Sequence, residues 1–185
     1  MKEIFNQIQN IHNADGKLVI VATGAGSQAI SWLFQIAGAS KTLLDVQIPY
    51  SRQALTHYLG KYSVDRHVSD TEALLMADVA LDRAVNLSNG SSVNQKGPLS
   101  GVSCTATIAT NRIRRGDNRI HIGIATSYGL RKTYSLIFVK DARDRADEES
   151  ICSKLLINAV SEAQGLTDRI DLSISKEEKV YEVLQ

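Results

Sequence analysis

Several kinds of chemistry are excluded by what this chain has too little of. Its two cysteines, Cys104 and Cys152, stand far apart and form no metal-binding spacing. They read as reduced, semi-buried thiols of a cytoplasmic protein. The four histidines, His12, His57, His67 and His121, make no HxxxH or HExxH pair. No metal site and no cofactor is therefore implied. No apolar run approaches the ~20 residues of a membrane span. The segment "MKEIFNQIQNIHNADGK" lacks the apolar centre of an export signal. Neither sign of charge dominates: 21 basic residues stand against 20 acidic ones, a net +1. That balance gives no electrostatic ground for nucleic acid or an anionic membrane as partner.

What is present is an ordinary globular composition, 43% hydrophobic and 22% charged over 185 residues. The length suits one domain of ~100–200 residues. We read residues 1–185 as that domain, with an N-terminal helix inside 1–14 and a short strand plus a frayed or linking tail in 166–185. Ile4, Phe5, Ile8 and Ile11 recur at helical spacing. Leu18 to Ala22 form the continuous apolar run of a strand buried on both faces. A helix follows over 27–38, with Ser27 placed to cap it and Gly38 to end it. "TLLDVQIPY" predicts a second strand, stopped by Pro49, and "SRQALTHYLG" a helix starting at Ser51. In "SDTEALLMADVALDRAVNLS" Ser69 and Glu72 have capping-box spacing. "NGSSVNQKGP" reads as a loop. "LSGVSCTATIAT", "RIHIGIATS" and "RKTYSLIFVK" are three further strands, the last two a hairpin. A long helix then ends near Gly165. Strands alternating with helices, followed by a hairpin, predict a three-layer α/β fold with a mixed sheet.

The stretch "VIVATGAGSQAI", residues 19–30, runs a buried strand into a small-residue elbow and then a helix. Glycines there let backbone N–H groups approach a ligand, and the helix N-terminus favours an anion. Open α/β sheets bind ligands beyond their strand C-termini. The elbow is not a Rossmann fingerprint, because position 29 is alanine, and it lacks the GxxxxGK[ST] of a P-loop. Gly24 and Gly26 serve equally well to turn the chain and let the helix pack closely.

Taken in order, these segments resemble the CinA C-terminal family, which includes nicotinamide mononucleotide amidohydrolases. "IPYSRQALTHYLG" is similar to the family's "VAYSNEAKRDLLG", "GVSCTATIAT" to its "AVTGIAGP" strand and loop, and "IHIGIATSYG" to "VYIGLATPDG". "IAGAS" stands where the family has a "VPGSS"-like segment, and "ARDRADEES" precedes the long helix as "GDREAVRERS" does. The likeness covers roughly residues 15–165. It implies a three-layer α/β/α sandwich with a mixed, mostly parallel sheet, and a protein that self-associates. The tail "KEEKVYEVLQ" is compatible with continuation into a further domain.

The family's deamidases use the serine of an "ESCTGG" elbow as nucleophile and the lysine of "YSNEAK" to activate it. A serine hydroxyl needs such a base. Here those positions fall on Gly24 and Leu55, so the resemblance implies a binding framework from which the reacting pair is missing. Ser27 and His57 are the weak substitutes available as catalytic residues. Residues expected at a ligand are Thr23, Gly24, Ala25, Gly26 and Ser27 of the elbow, together with Tyr50, Ser51 and Thr105. Arg112, with Arg114, Arg115 and Arg119, replaces the family's glycine-rich loop and offers a clamp for a phosphate or carboxylate. The expected partner is a small nucleotide or phosphate-bearing molecule. An amidohydrolase with rearranged residues and a plain interaction domain are the competing readings.

Overall fold

A computed structural model describes residues 1–60, 67–89, 97–112 and 114–185. Most of the expected 89–98 loop lies outside these residues. Chain order is α1 (Lys2–Asn13), β1 (Lys17–Thr23), α2 (Ser27–Gln35), α3 (Ala39–Thr42), β2 (Leu43–Gln47), α4 (Arg52–Leu59), α5 (Asp70–Asn89), β3 (Leu99–Thr107), β4 (Arg119–Thr126), β5 (Arg131–Ile137), α6 (Arg145–Ala163) and β6 (Val180–Leu184).

The six strands form one sheet in the order β2-β1-β3-β4-β5-β6. β1 pairs in parallel with β2 and with β3, while the β3–β4, β4–β5 and β5–β6 pairings are antiparallel. The sheet is mixed, as expected, with the parallel share confined to its first three strands. The two covered faces of β1 explain why Leu18 to Ala22 are apolar at every position. Leu18, Ile20 and Ala22 pack into one core with α1, α2 and α6, and Val19 and Val21 into another with α4 and α5. A period-two backbone sends successive side chains to opposite faces, so a strand covered by helices on both faces shows no polar alternation.

α5 lies close on the sheet. Its buried Ala73, Ala77 and Ala80 lie against glycines of β3 and β4. A Cβ on Gly101 would stand 2.0 Å from the Ala77 carbonyl oxygen, and one on Gly123 2.3 Å from that of Ala73. Small residues on both sides are what permit this approach.

Four expectations need correction. α2 ends at Gln35, not at 38, because the chain leaves the helix at Ile36 in an extended conformation; Gly38 (φ 120°) instead opens the short α3. Ser27 does not cap α2: Gly26 (φ 93°) is the N-cap and no side chain caps from that position. Ser69 accepts from the Glu72 N–H at 3.1 Å, but the Glu72 carboxylate turns to Val68 N at 2.6 Å and His67 Nδ1 at 2.7 Å. Finally, 166–185 is no frayed tail. Ile170 is buried, Leu166, Leu172, Ile174 and Val180 pack on the first core, and β6 closes the sheet edge.

Candidate functional site

A cavity of about 390 Å³ opens beyond the C-terminal ends of β1 and β2. Ala22, Ala25, Ile30 and Ile48 give it an apolar floor, and Tyr50, 71% exposed, stands at its mouth. Arg145 and Glu149, from the first turns of α6, form the polar wall. Arg145 donates to the carbonyls of Ala109 at 3.0 Å and Gly24 at 3.5 Å. Among the described residues it makes no ion pair, so its charge is available to an anion entering the cavity.

The elbow itself is already occupied by an anion from the same chain. Glu149 accepts from Gly26 N at 3.0 Å, Gln28 N at 3.0 Å, Ser27 Oγ at 2.9 Å and Ser153 Oγ at 3.2 Å. A carboxylate at the positive end of α2 satisfies both the dipole and two amides that no intrahelical partner reaches. The glycines therefore do bring amides round an anion, as the elbow pattern suggests, but the anion is Glu149.

Gly24 is shaped by a different constraint. At φ 84° it passes so close to β3 that a Cβ would stand 1.8 Å from the Ala106 carbonyl oxygen and 2.8 Å from its carbon. The position where the resemblance places a nucleophile thus has no room for any side chain. Leu55, at the position of the activating lysine, is 5% exposed and packs with Val19, Val21 and Leu59. The thiol beneath the elbow offers no replacement. Cys104 Sγ donates to Ala25 O at 3.4 Å, and burial, reinforced by the nearby Glu149, pushes its pKa up, so it stays protonated.

The remaining expected residues fall on both sides of the sheet. Ser27 lines the cavity, but His57 does not pair with it. His57 is exposed on α4, whose Leu55 and Leu59 pack on the face opposite the α2–α6 layer. Thr23 ends β1 half-buried, in register with Thr105. Thr105 is on the face of the sheet that α5 covers: fully buried, it donates to Glu72 Oε2 at 3.2 Å, and the neighbouring Ser103 on the same face bonds the Ala73 carbonyl. Ser51 is a helix cap, its Oγ accepting from Ala54 N at 3.1 Å. Arg112 lines a separate cavity.

Arg145 and Glu149 lie in "ARDRADEES", which the sequence alone marks only as the approach to the long helix. No local pattern could have found them, because Glu149 meets partners more than a hundred residues away. The adjacent Glu148, fully buried, binds Ala109 N at 2.6 Å and Asn118 Nδ2 at 2.9 Å. Two consecutive glutamates thus fasten two loops to the start of α6.

No protein-family model matches the chain, and no curated protein matches it. Solved structures do. The competence/damage inducible protein CihA from Agrobacterium tumefaciens is similar at 22% identity and a TM-score of 0.62, over 86% of this chain and 93% of that one. A competence-damaged protein (CinA) superfamily protein from Klebsiella pneumoniae is similar at 12% identity and a TM-score of 0.60, over 88% of this chain and 96% of that one. One from Escherichia coli is similar at 17% identity and a TM-score of 0.55, over 88% and 87%. With its β2-β1-β3-β4-β5-β6 sheet between two helical layers, the chain has the fold of the CinA superfamily structures.

Proposed function

We propose that this chain binds a small nucleotide-like anion in the cavity beyond β1 and β2 and does not carry out the amide hydrolysis implied by its resemblance to the deamidases. The observation that carries this reading is Gly24, where the Ala106 carbonyl fills the space a nucleophile would need. Binding is supported by what surrounds it. A cavity of about 390 Å³ lies within the range of small-molecule sites, with apolar walls and few polar groups. Arg145 meets the ligand's charge, since the amides of Gly26 and Gln28 are committed to Glu149. Tyr50 offers an exposed ring against which a flat base or pyridine packs.

The test pairs a thermal-shift panel of nucleotides with an assay of ammonia release from nicotinamide mononucleotide. A binder at 100 Kd gains about 2.7 kcal/mol. Arg145→Gln should abolish the shift, and no variant should release ammonia. A panel without any shift would favour the interaction-domain reading.

One observation favours a second reading, a rearranged hydrolase: Ser27 Oγ donates to the Glu149 carboxylate at 2.9 Å beside the cavity. The same carboxylate takes the neighbouring Gly26 and Gln28 amides. An acyl-transfer site needs such amides for its oxyanion. Ammonia release lost in Ser27→Ala but kept in Thr23→Ala would establish this second reading in place of the first.

A further inference from the structure

A second cavity of about 320 Å³ lies between the loop following β3 and the segment between β5 and α6. Its polar wall is made by Asn111, Arg112, Arg114, Asn118, Lys140 and Arg143. The charges there do not cancel. Arg143 is neutralised by Glu178, bonding both carboxylate oxygens at 2.5 and 2.8 Å. Arg114 is half-buried and is held by neutral acceptors only, the Ile108 carbonyl at 2.7 Å and Asn118 Oδ1 at 2.6 Å. Lys140 Nζ donates to the Arg114 carbonyl at 2.8 Å. Arg112 is exposed and is in no hydrogen bond or ion pair among the described residues. Among the described residues, Arg112, Arg114 and Lys140 thus face the cavity without ion pairs, against the one lining carboxylate of Asp141. Glu148 stands behind this wall, buried, and meets the Asn118 amide rather than a cation.

The arrangement is braced from inside. Asn118 links Arg114 to Glu148, and Glu148 also holds Ala109 N, so the guanidinium is positioned before any ligand arrives. A half-buried cation left without a counter-charge is costly, and a bound anion removes that cost. Cations on both sides of the cavity, with the amide of the exposed Asn111, present donors from several directions, which suits the several oxygens of a phosphate. In a chain whose total charge is only +1, this local excess of positive charge is a feature of the loop itself.

We infer that this cavity is a phosphate-binding site, separate from the one under the elbow, that takes a phosphate group either free or carried by a small monoester. The two cavities have no lining residue in common, although a more open depression lined by Tyr50 and Arg145 on one side and by Asn111, Asp141 and Arg143 on the other runs between them.

The experiment is an NMR titration of the whole chain with inorganic phosphate and with glycerol 3-phosphate, at constant ionic strength against chloride. The expected result is saturable shifts at Asn111, Arg114, Asn118 and Asp141. These should weaken about tenfold in Arg112→Gln and Arg114→Gln and persist in Arg145→Gln. Tighter binding of one titrant tells the free anion from the monoester, and either upholds the site. Because Arg114 also supports its loop, Arg112→Gln, which breaks no described bond, keeps the test valid if Arg114→Gln misfolds. Shifts equal to those caused by chloride would overturn the inference. So would shifts that vanish only in Arg145→Gln, which would place phosphate in the first cavity and leave the proposed function standing.

Discussion

Replacing Gly24 by serine is the sharpest perturbation, because it restores the residue type found at the deamidase nucleophile position. The structure makes it destructive instead. Carbon and oxygen atoms out of bonding contact sit well over 3 Å apart, yet the new Cβ would begin 1.8 Å from the Ala106 oxygen. Relief requires the elbow or β3 to move by more than an ångström. β3 is hydrogen-bonded to β1 on one side and β4 on the other, and α5 lies against it through Gly101, so it has little freedom to yield. A serine at φ 84° adds roughly 1–2 kcal/mol of left-handed strain. Overpacking of a tight core adds roughly 1–3 kcal/mol. The sum is about 2–5 kcal/mol, which for a chain of this length lowers Tm by roughly 5–20 °C.

Thermal denaturation followed by circular dichroism measures this loss, with Ser27→Ala as a neighbouring control. The double variant Gly24→Ser/Leu55→Lys should be worse still, since Leu55 is buried among Val19, Val21 and Leu59 and an ammonium there has no partner. A Gly24→Ser protein with unchanged Tm would refute the steric reasoning. A double variant that released ammonia from nicotinamide mononucleotide would refute the proposal that the shape of this site rules out the reaction.

Other consequences are open to simple measurement. Burial alone would push the Glu178 carboxyl up, but bonds from Arg143, Val139 N and Ser175 N outweigh it and hold its pKa at about 2, against 4.5 ordinarily. Its stabilisation is complete above pH 4.5 and is lost as pH falls toward 2; it amounts to about 3 kcal/mol, and Arg143→Met should flatten that acid limb of a denaturation series. His12 is buried with Nε2–H donating to Leu33 O at 2.9 Å and Nδ1 accepting from Thr42 Oγ1 at 3.0 Å. Burial lowers its pKa more than the Leu33 bond raises it, so its contribution is present above 6.5 and lost as pH drops through the lowered value. An NMR titration showing His12 protonated at or above 6.5 would contradict this. Glu149→Gln leaves one amide or hydroxyl of the elbow facing an NH₂ donor and should destabilise by about 1–3 kcal/mol in urea titrations. No change in the unfolding midpoint would show the elbow to be self-supporting.

The strand and helix plan was legible because periodicity is a local property. The continuous apolar run from Leu18 to Ala22 and the helical spacing of Ile4, Ile8 and Ile11 both mapped onto what the sheet and its helical layer require. Chain ends of elements were less legible: α2 stops at Gln35 because the following turn packs against α1, where a Cβ on Gly38 would stand 2.8 Å from His12 Cβ. The site was half legible. "TGAGSQ" announced amides gathered round an anion, and those amides are gathered. That the anion would be Glu149 depends on how α6 packs beside α2, which no spacing within either segment encodes. The surroundings of Thr105 follow from strand parity. Val102, Cys104 and Ala106 face α6 and its neighbours, so Thr105 must face α5 and Glu72.

The two glutamates at the start of α6 explain how one fold carries two differently charged cavities side by side. Each buries a negative charge against backbone amides: Glu149 at the elbow, Glu148 at Ala109. Because both carboxylates are spent inward, the arginines nearby are left without them as partners. Arg145 turns to carbonyls of Gly24 and Ala109, and Arg114 to Ile108 O and Asn118. The first cavity therefore balances Arg145 against an inward-turned Glu149, while the basic residues of the second stay unpaired by Glu148. It follows that removing either acid should affect its own cavity first. Glu148→Gln should disturb the Arg114 loop while leaving the elbow amides protected from hydrogen exchange, and Glu149→Gln should do the reverse. Equal loss of protection in both loops from either variant would mean that α6 supports them as one unit, and the two cavities could then not be occupied independently.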